Sequence, residues 1–234
     1  AEAAIGLFES VNLDLMYALP GQTLGQARAD LETALRLGPA HLSAYHLTLE
    51  PNTPFAAHPP ELPDDDLSAD MQLQAEDLLG AAGYQHYETS AFARPGALCR
   101  HNLNYWTFGD YLGLGAGAHG KLSFHDRIER QSRLKHPRAY MDAACASPPN
   151  PIAEARTLGR DDRVFEFMMN ALRLNEGFDP RLFEARTGLS IAAAERGLAT
   201  AERRGLLLRD LHNIRPSATG RRFLNELLQG FLPD

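Results

Sequence analysis

The sequence has few cysteines, little lysine and no long apolar run. Its 234 residues include only two cysteines, Cys99 and Cys145, which is too few for a disulfide framework and fits a reducing compartment such as the cytoplasm. No stretch approaches the roughly 20 consecutive apolar residues that a membrane-spanning helix needs. The formal net charge of −7 argues against a general nucleic-acid binder, because such proteins usually carry a basic face. With 44% apolar residues, the chain can still bury a sizeable core.

The charge is distributed unevenly along the chain and predicts a domain boundary. Residues 160–234 carry 12 arginines and 11 acidic residues, whereas the preceding residues carry 11 basic and 19 acidic side chains. The change falls beside the proline-rich segment 147–151, and such segments commonly separate domains. We therefore expect a first domain over residues 1–145, a linker over 146–159 and a second domain over 160–234.

The first part of the chain alternates strand-like and helix-like patterns. Strands are predicted at 11–17, 41–48, 84–88 and 111–113, and helices at 23–37 and 68–82. Strands separated by helices of 10–15 residues form βαβ units, so we expect an α/β fold with a parallel sheet. Ligands of such folds bind at the carboxyl ends of the strands. This rule selects the segments 14–23, 48–52, 88–91 and 113–119.

The second part is mostly helical and has the order of a winged helix. Helices are predicted at about 160–173, 179–187, 190–204 and 217–230, and residues 206–215 are short enough for a hairpin. In a DNA-reading protein of this type the helix at 191–204 would contact the phosphates. That helix carries Glu195 and Glu202 among its arginines, which is a mixed solvated face. We therefore expect a packing or lid domain, and no nucleic-acid partner.

Segment 99–106 is the most distinctive part of the chain. An imidazole, a phenol and the single indole of the sequence follow within six residues, at His101, Tyr105 and Trp106. This set suits a flat apolar ligand with a metal at its centre, since the imidazole can supply an axial nitrogen and the rings can supply contact area. The alternative is a loop stabilised by burial of Trp106, with His101 as a hydrogen-bonded neighbour. Cys99 is a further candidate ligand, although its position favours a small buried residue.

Several blocks resemble the oxygen-independent coproporphyrinogen III oxidase-like radical-SAM proteins, in the same order along the chain. They are segments 12–23, 42–45, 50–53, 62–66 and 87–96. The pattern His101-Asn102-x-x-Tyr105-Trp106 resembles the haem-chaperone branch in particular, because the oxidase branch lacks it. The tail from about residue 160 resembles the C-terminal winged-helix-like domain of the same family, so the likeness covers essentially the whole chain. Ala18 departs from it, because the family usually has glycine there.

The resemblance implies a fold and a function. The fold is a partial radical-SAM (βα) barrel followed by a small winged-helix-like C-terminal domain. The function is that of a haem-binding chaperone that delivers haem to acceptor proteins, with His101 as the haem-iron contact and Asn102, Tyr105 and Trp106 around the porphyrin. The resemblance is compatible with peripheral membrane contact and with a dimer, neither of which it specifies.

A second cofactor implied by the resemblance is S-adenosylmethionine. Asp14, Thr48 and His119 match positions at which the oxidase branch contacts that cofactor. A strand-end carboxylate at Asp14 would accept hydrogen bonds from the ribose or the amino group. The alternatives are that Asp14 holds the following Pro20-Gly21 loop and that His119 only supports the glycine-rich turn at 113–120.

The family also holds a [4Fe–4S] cluster on a C-x-x-x-C-x-x-C motif, which this sequence does not contain. We therefore expect the chain to be the later part of a longer protein, with the cluster in the full-length protein only. As this polypeptide stands it should not cleave S-adenosylmethionine, and no catalytic residue is assigned. One alternative is the downstream part of a coproporphyrinogen III dehydrogenase that decarboxylates propionates by radical chemistry. Another is a winged-helix interaction protein without a cofactor.

Overall fold

The computed structural model describes residues 1–233 and divides into two compact units, the first over Ala1–Cys99 and the second beginning at Arg100. The first unit contains a four-stranded sheet and two long helices. Its elements are α1 (Glu2–Leu7), β1 (Asn12–Tyr17), α2 (Leu24–Leu37), β2 (His41–His46), α3 (Pro54–Ala57), α4 (Asp65–Ala81), β3 (Gln85–Glu88) and β4 (Ala91–Ala93).

The sheet of the first unit is mixed. Its order is β1-β2-β4-β3, in which β1 and β2 are parallel and the other two pairs are antiparallel. The expected parallel sheet is therefore wrong beyond the first pair, because the unpredicted strand β4 lies between β2 and β3. Only Thr89 and Ser90 separate β3 from β4. A parallel pair needs a crossover of a dozen or more residues, so this short connection requires an antiparallel pair.

Helix α2 begins and ends where the sequence predicts. The Thr23 hydroxyl accepts a hydrogen bond from the Gln26 backbone N–H, and the Gln26 side chain accepts one from the Thr23 backbone in return, which is a capping box. Gly38 ends the helix at a φ of 66°, a left-handed conformation that glycine adopts without a steric penalty. Ala18, where the family usually has glycine, also has a positive φ of 57°.

The core of the first unit lies between one face of the sheet and the helices α2 and α4. Alternation along β1 places Leu13, Leu15 and Tyr17 against this core, whereas Asn12 and Asp14 lie on the other face. The buried members of the core are Leu31, Ala34, Leu42, Ala44, Ala75, Leu79, Tyr84 and Phe92.

The second unit begins with a helix and a three-stranded antiparallel sheet of order β5-β6-β7. These elements are α5 (Arg100–Trp106), β5 (His119–Ser123), β6 (Ile128–Arg133), α6 (Pro137–Ala144) and β7 (Ile152–Thr157). The strand predicted at 111–113 is wrong, because this segment contributes only an isolated bridge from Tyr111 to Lys121. The domain boundaries at 145 and 160 stay a prediction, but the segment between them is more than a linker, since it contains β7.

The remaining elements follow the order predicted for a winged helix. They are α7 (Arg160–Ala171), α8 (Pro180–Thr187), a 3₁₀ helix (Ile191–Ala194), α9 (Glu195–Arg203), β8 (Leu207–Arg209), β9 (Ile214–Pro216), α10 (Ala218–Arg222) and α11 (Leu224–Gln229). The ring of Phe167 is fully buried at the centre of their core and meets Phe178 and Phe183 edge to face at 5.0 Å each. Such edge-to-face pairs add about 0.5–1.5 kcal/mol beyond the burial of apolar area.

Within residues 1–233, none of the helices combines the length and the apolar character that crossing a membrane requires.

Candidate functional site

Helix α5 places two of the predicted haem contacts on one face. His101 is exposed in the first turn, and Tyr105 follows four residues later, which is one helical turn. Their ring centroids lie 4.7 Å apart with the planes at 85° to each other. Among the described residues the His101 imidazole has no hydrogen-bond partner, and the residue as a whole is exposed.

Tyr105 also meets Tyr111, at 4.6 Å between centroids and 64° between planes. The three rings are thus a run of edge-to-face contacts and do not form two parallel walls of a slot. This arrangement restricts the rotamer of Tyr105 from both sides and leaves the His101 imidazole at the exposed end of the run.

Trp106 is half-buried at the end of α5. The guanidinium carbon of Arg173 lies 5.0 Å from the centroid of its rings, a cation–π contact. The indole Nε1 is buried and has no acceptor among residues 1–233. A buried N–H without a partner costs about 1–3 kcal/mol, and an ordered water commonly satisfies such a group.

Asn102 is half-buried, and its side chain makes no hydrogen bond within the described residues. The amide with a structural role is Asn104, whose Nδ2 donates to the carbonyl of Asp110 at 3.0 Å. A Cβ atom at Gly109 would lie 2.0 Å from the Asn104 Oδ1, so this close packing requires glycine. The sequence analysis missed Asn104, although the glycine two residues before Tyr111 was a signal for close packing.

His119, a predicted S-adenosylmethionine contact, is the exposed first residue of β5. It lines a cleft of about 550 Å³ that Tyr111 also lines. The charged side chains of this cleft belong to β6, β7 and α7, and they are Arg130, Glu154, Arg156, Asp162 and Glu166.

Glu166 is hydrogen-bonded to two of these charged side chains. Its carboxylate accepts from Arg130 Nε at 2.7 Å and from Arg156 Nη2 at 3.1 Å. Arg130 also donates to the Tyr111 hydroxyl, which connects the cleft to the rings of α5. These partners are 10 to 36 residues apart in sequence, so no local pattern could have identified them.

Asp14, the second predicted contact with S-adenosylmethionine, is the third residue of β1 and not a strand-end residue. Its carboxylate is exposed on the sheet face opposite α2 and α4, because side chains alternate along a strand. The Oδ1 atom accepts a hydrogen bond from Asn12 Nδ2 at 2.8 Å. The expected strand-end position was therefore wrong, whereas an accessible carboxylate is present.

Thr48 lies two residues beyond β2 and is exposed. It lines a shallow pocket of about 320 Å³ together with Glu50, Thr53 and Phe55. Asp14 and Thr48 thus belong to the first unit, and His119 belongs to the second.

A buried polar network next to Asp14 was missed by the sequence analysis. His41 is 3% exposed, and its Nδ1 lies 2.7 Å from Asn12 Oδ1 while its Nε2 lies 2.8 Å from the Tyr87 hydroxyl. Burial lowers the pKa of His41 below 6.5, and the charge of Asp14 opposes this only in part. The imidazole is therefore neutral at pH 7.

The described residues contain no group of three or more His, Cys, Asp or Glu side chains that could hold a metal ion. Cys99 is half-buried in the first unit and Cys145 is exposed in the second. Two thiolates are fewer than a [4Fe–4S] cluster requires, so the residues of this chain do not fit that group and no chemistry is derived through it.

Comparison with known proteins places these residues in a family context. Residues 158–223 match the HemN C-terminal domain. Haem chaperone HemW of Haemophilus influenzae is 46% identical over 233 residues, which are 99% of this chain and 59% of that protein. HemW of Escherichia coli K12 is 46% identical over 100% of this chain and 61% of its own length. HemW of Mycobacterium tuberculosis H37Rv is 38% identical over 94% of this chain and 54% of its own length.

A solved structure shows the same fold. It is coproporphyrinogen III oxidase (HemN) from Escherichia coli, described as a radical SAM enzyme, which matches 96% of this chain and 55% of its own chain with a TM-score of 0.73 at 23% identity. The chain therefore has the α/β fold of that enzyme, and it spans about three fifths of the HemW relatives from H. influenzae and E. coli. The chain is therefore similar, over nearly its whole length, to haem chaperones named HemW.

Proposed function

We propose that this chain forms a haem-binding part of a haem chaperone, which delivers haem to acceptor proteins. The relatives named above support the class of function. The observation that carries the proposal for this chain is His101, an exposed imidazole without a hydrogen-bond partner among the described residues, held by an aromatic neighbour. A neutral imidazole nitrogen is a common axial ligand of haem iron.

The surroundings of His101 suit a haem that is bound reversibly and then released. Tyr105 offers aromatic ring surface beside the imidazole. Trp106, whose ring lies under the Arg173 guanidinium, is a further proposed contact of the porphyrin. A single exposed ligand on a seven-residue helix leaves the porphyrin open to transfer.

We further propose that Asp14 and Thr48 of the first unit contact S-adenosylmethionine, as the resemblance to the oxidase branch implies. The same resemblance implies this role for His119, which is proposed separately. The exposed carboxylate of Asp14 and the exposed hydroxyl of Thr48 suit the amino and ribose groups of that cofactor. The [4Fe–4S] cluster would belong to the part of the full-length relatives outside this stretch. The small cysteine count supports a cytoplasmic location.

The winged-helix-like domain is proposed to act in packing and not in reading DNA. Arg209 of its hairpin donates to Glu195 at 2.8 Å and to Glu202 at 3.0 Å. Both carboxylates lie on α9, the helix that would face the phosphates. A phosphate would therefore have to compete with these carboxylates for the arginine.

Titration of the chain with haemin tests the haem proposal. The wild-type chain is expected to give a Soret band, and His101→Ala is expected to bind at least about tenfold more weakly, equivalent to about 1.4 kcal/mol. The matched control is His125→Ala, which removes another exposed histidine of the second unit. A wild-type chain without a Soret band would overturn the function, and equal titrations of wild type and His101→Ala would overturn the role of His101.

A further inference from the structure

The first unit contains a hydrogen-bonded chain of four side chains that ends at Asp14. The Tyr87 hydroxyl lies 2.8 Å from His41 Nε2, His41 Nδ1 lies 2.7 Å from Asn12 Oδ1, and Asn12 Nδ2 lies 2.8 Å from Asp14 Oδ1. Ser43 adds a second donor to Asn12 Oδ1 at 3.2 Å. Three strands contribute these residues: β1 carries Asn12 and Asp14, β2 carries His41 and Ser43, and β3 carries Tyr87.

Elementary donor and acceptor rules fix the direction of this chain. The ionised carboxylate of Asp14 only accepts, so the amide group that faces it must be the NH₂ of Asn12. The Asn12 oxygen then faces His41. Because this amide oxygen carries no hydrogen and can only accept, His41 Nδ1 must carry the proton. The neutral imidazole accepts at Nε2, so the Tyr87 hydroxyl donates. Every donor therefore points towards Asp14.

The strand order of the first unit allows the Tyr87 side chain to reach His41. Tyr87 lies on β3 and His41 on β2, with β4 between them. Beside the network β4 presents only Ala91 and Ala93, opposite Ser43 and His41 respectively. Because alanine is small, the Tyr87 ring can reach across this strand, and a bulge between His86 and Glu88 changes the register where Tyr87 lies.

We propose that Tyr87, His41 and Asn12 are positioning residues, which hold the Asp14 carboxylate in a fixed orientation for an S-adenosylmethionine amino or hydroxyl group. This inference rests on the proposed contact between Asp14 and that cofactor. The Asn12 amide occupies Oδ1 and leaves Oδ2 on the exposed face for the ligand. His41 and Tyr87 are 3% and 4% exposed, so they support Asp14 from beneath without reaching the ligand. Sites whose supporting residues are locked in this way bind with less loss of conformational freedom.

Binding of S-adenosylmethionine to the full chain, followed by calorimetry, tests the role of His41. In His41→Asn the amide NH₂ can replace the Nδ1–H that donates to Asn12, whereas His41→Leu has no donor. Both variants remove the Nε2 contact to Tyr87. We expect His41→Leu to bind about tenfold more weakly and His41→Asn to stay within about threefold of the wild type. A merely structural role would affect both variants equally.

A second pair of variants tests Asn12. Asn12→Asp replaces the donor that faces Asp14 by a like charge and is expected to weaken binding more than tenfold. Asn225→Asp makes the same chemical change at an exposed residue of α11 in the second unit and should bind like the wild type. Equal affinities for Asn12→Asp and Asn225→Asp would overturn the positioning role.

Nitrogen NMR of His41 tests the direction of the chain without a ligand. We expect a proton on Nδ1 and none on Nε2, and the reverse would overturn the inference. If the wild-type chain fails to bind S-adenosylmethionine, the proposed contact at Asp14 fails and the inference fails with it. If the wild type binds and His41→Leu, His41→Asn and Asn12→Asp all bind equally well, the positioning role alone fails.

Discussion

Arg130 on β6 and Glu166 on α7 form an ion pair at 2.7 Å, in which the Glu166 side chain is 9% exposed. Arg156 on β7 binds the same carboxylate at 3.1 Å. One buried acid thus connects two strands of the second unit to the first helix of the winged-helix-like domain. Removal of a buried partner leaves its counter-ions uncompensated, which costs far more than the loss of an exposed pair.

Glu166→Gln is therefore expected to lower the free energy of unfolding by about 2 kcal/mol, less than the full cost of breaking a buried pair because Arg156 is nearly half exposed. Urea denaturation measures the change. The control is Glu32→Gln, which breaks an exposed i,i+4 pair with Arg28 and should cost no more than about 0.5 kcal/mol. Equal losses in the two variants would contradict the role of Glu166 as a buried connector.

Asp179 predicts a pH dependence of stability. Hydrogen bonds from the Arg181 side chain, and then from its backbone N–H, lower the pKa of Asp179 to about 2. Because this folded-state pKa lies below the unfolded value of about 3.9, the contribution of the charge is fully present above pH 4 and is lost as the pH falls towards 2.

Asp179→Asn isolates this effect, because asparagine also caps a helix but does not ionise. The stability difference between wild type and Asp179→Asn should be constant above about pH 4 and should shrink between pH 4 and 2. Urea unfolding at a series of pH values measures it. If the stability difference between the two proteins stays constant down to pH 2, the Asp179 charge does not contribute to stability.

Two helical glycines should respond in opposite ways to alanine. Gly80 of α4 has open space where a Cβ atom would lie, so Gly80→Ala should stabilise by about 0.5–1 kcal/mol. At Gly197 of α9 the Cβ atom would lie 2.5 Å from Phe231 Cδ1 and 2.8 Å from the Gly230 carbonyl. Gly197→Ala should therefore destabilise by about 1–3 kcal/mol despite its better helix propensity. Thermal unfolding of both variants checks the two signs.

The edge strand β1 predicts self-association. Among the strands of residues 1–233 it pairs with β2 alone, and Met16 on it is 45% exposed. An exposed edge with apolar side chains pairs readily with another chain. We expect the chain to associate with increasing concentration in light scattering, and Met16→Lys to reduce that association. A chain that stays monomeric and melts cooperatively at all concentrations would contradict this prediction.

Sequence patterns predicted those helices and strands that are specified by residues close together in the chain. The Thr23 cap and the Gly38 stop defined α2, and hydrophobic periodicity located β1 and α7. The motif at His101 indicated a resemblance to haem chaperones only together with the other blocks, since any single block is a weak signal. The unpredicted strand β4 is only three residues long. Its pairing depends on the two-residue connection to β3, for which neither periodicity nor propensity gives a signal.

The sequence by itself determined the α/β class, the winged-helix order of the tail and the resemblance to haem chaperones, since these depend on residue types at fixed spacings. The tertiary structure decided that Tyr87, His41 and Asn12 form a hydrogen-bonded chain to Asp14. It also decided that Glu166 pairs with both Arg130 and Arg156. Hydrogen bonds and ion pairs between residues 10 to 46 positions apart depend on strand order and register. Side chains far apart in the sequence become neighbours only when the strands that carry them pair.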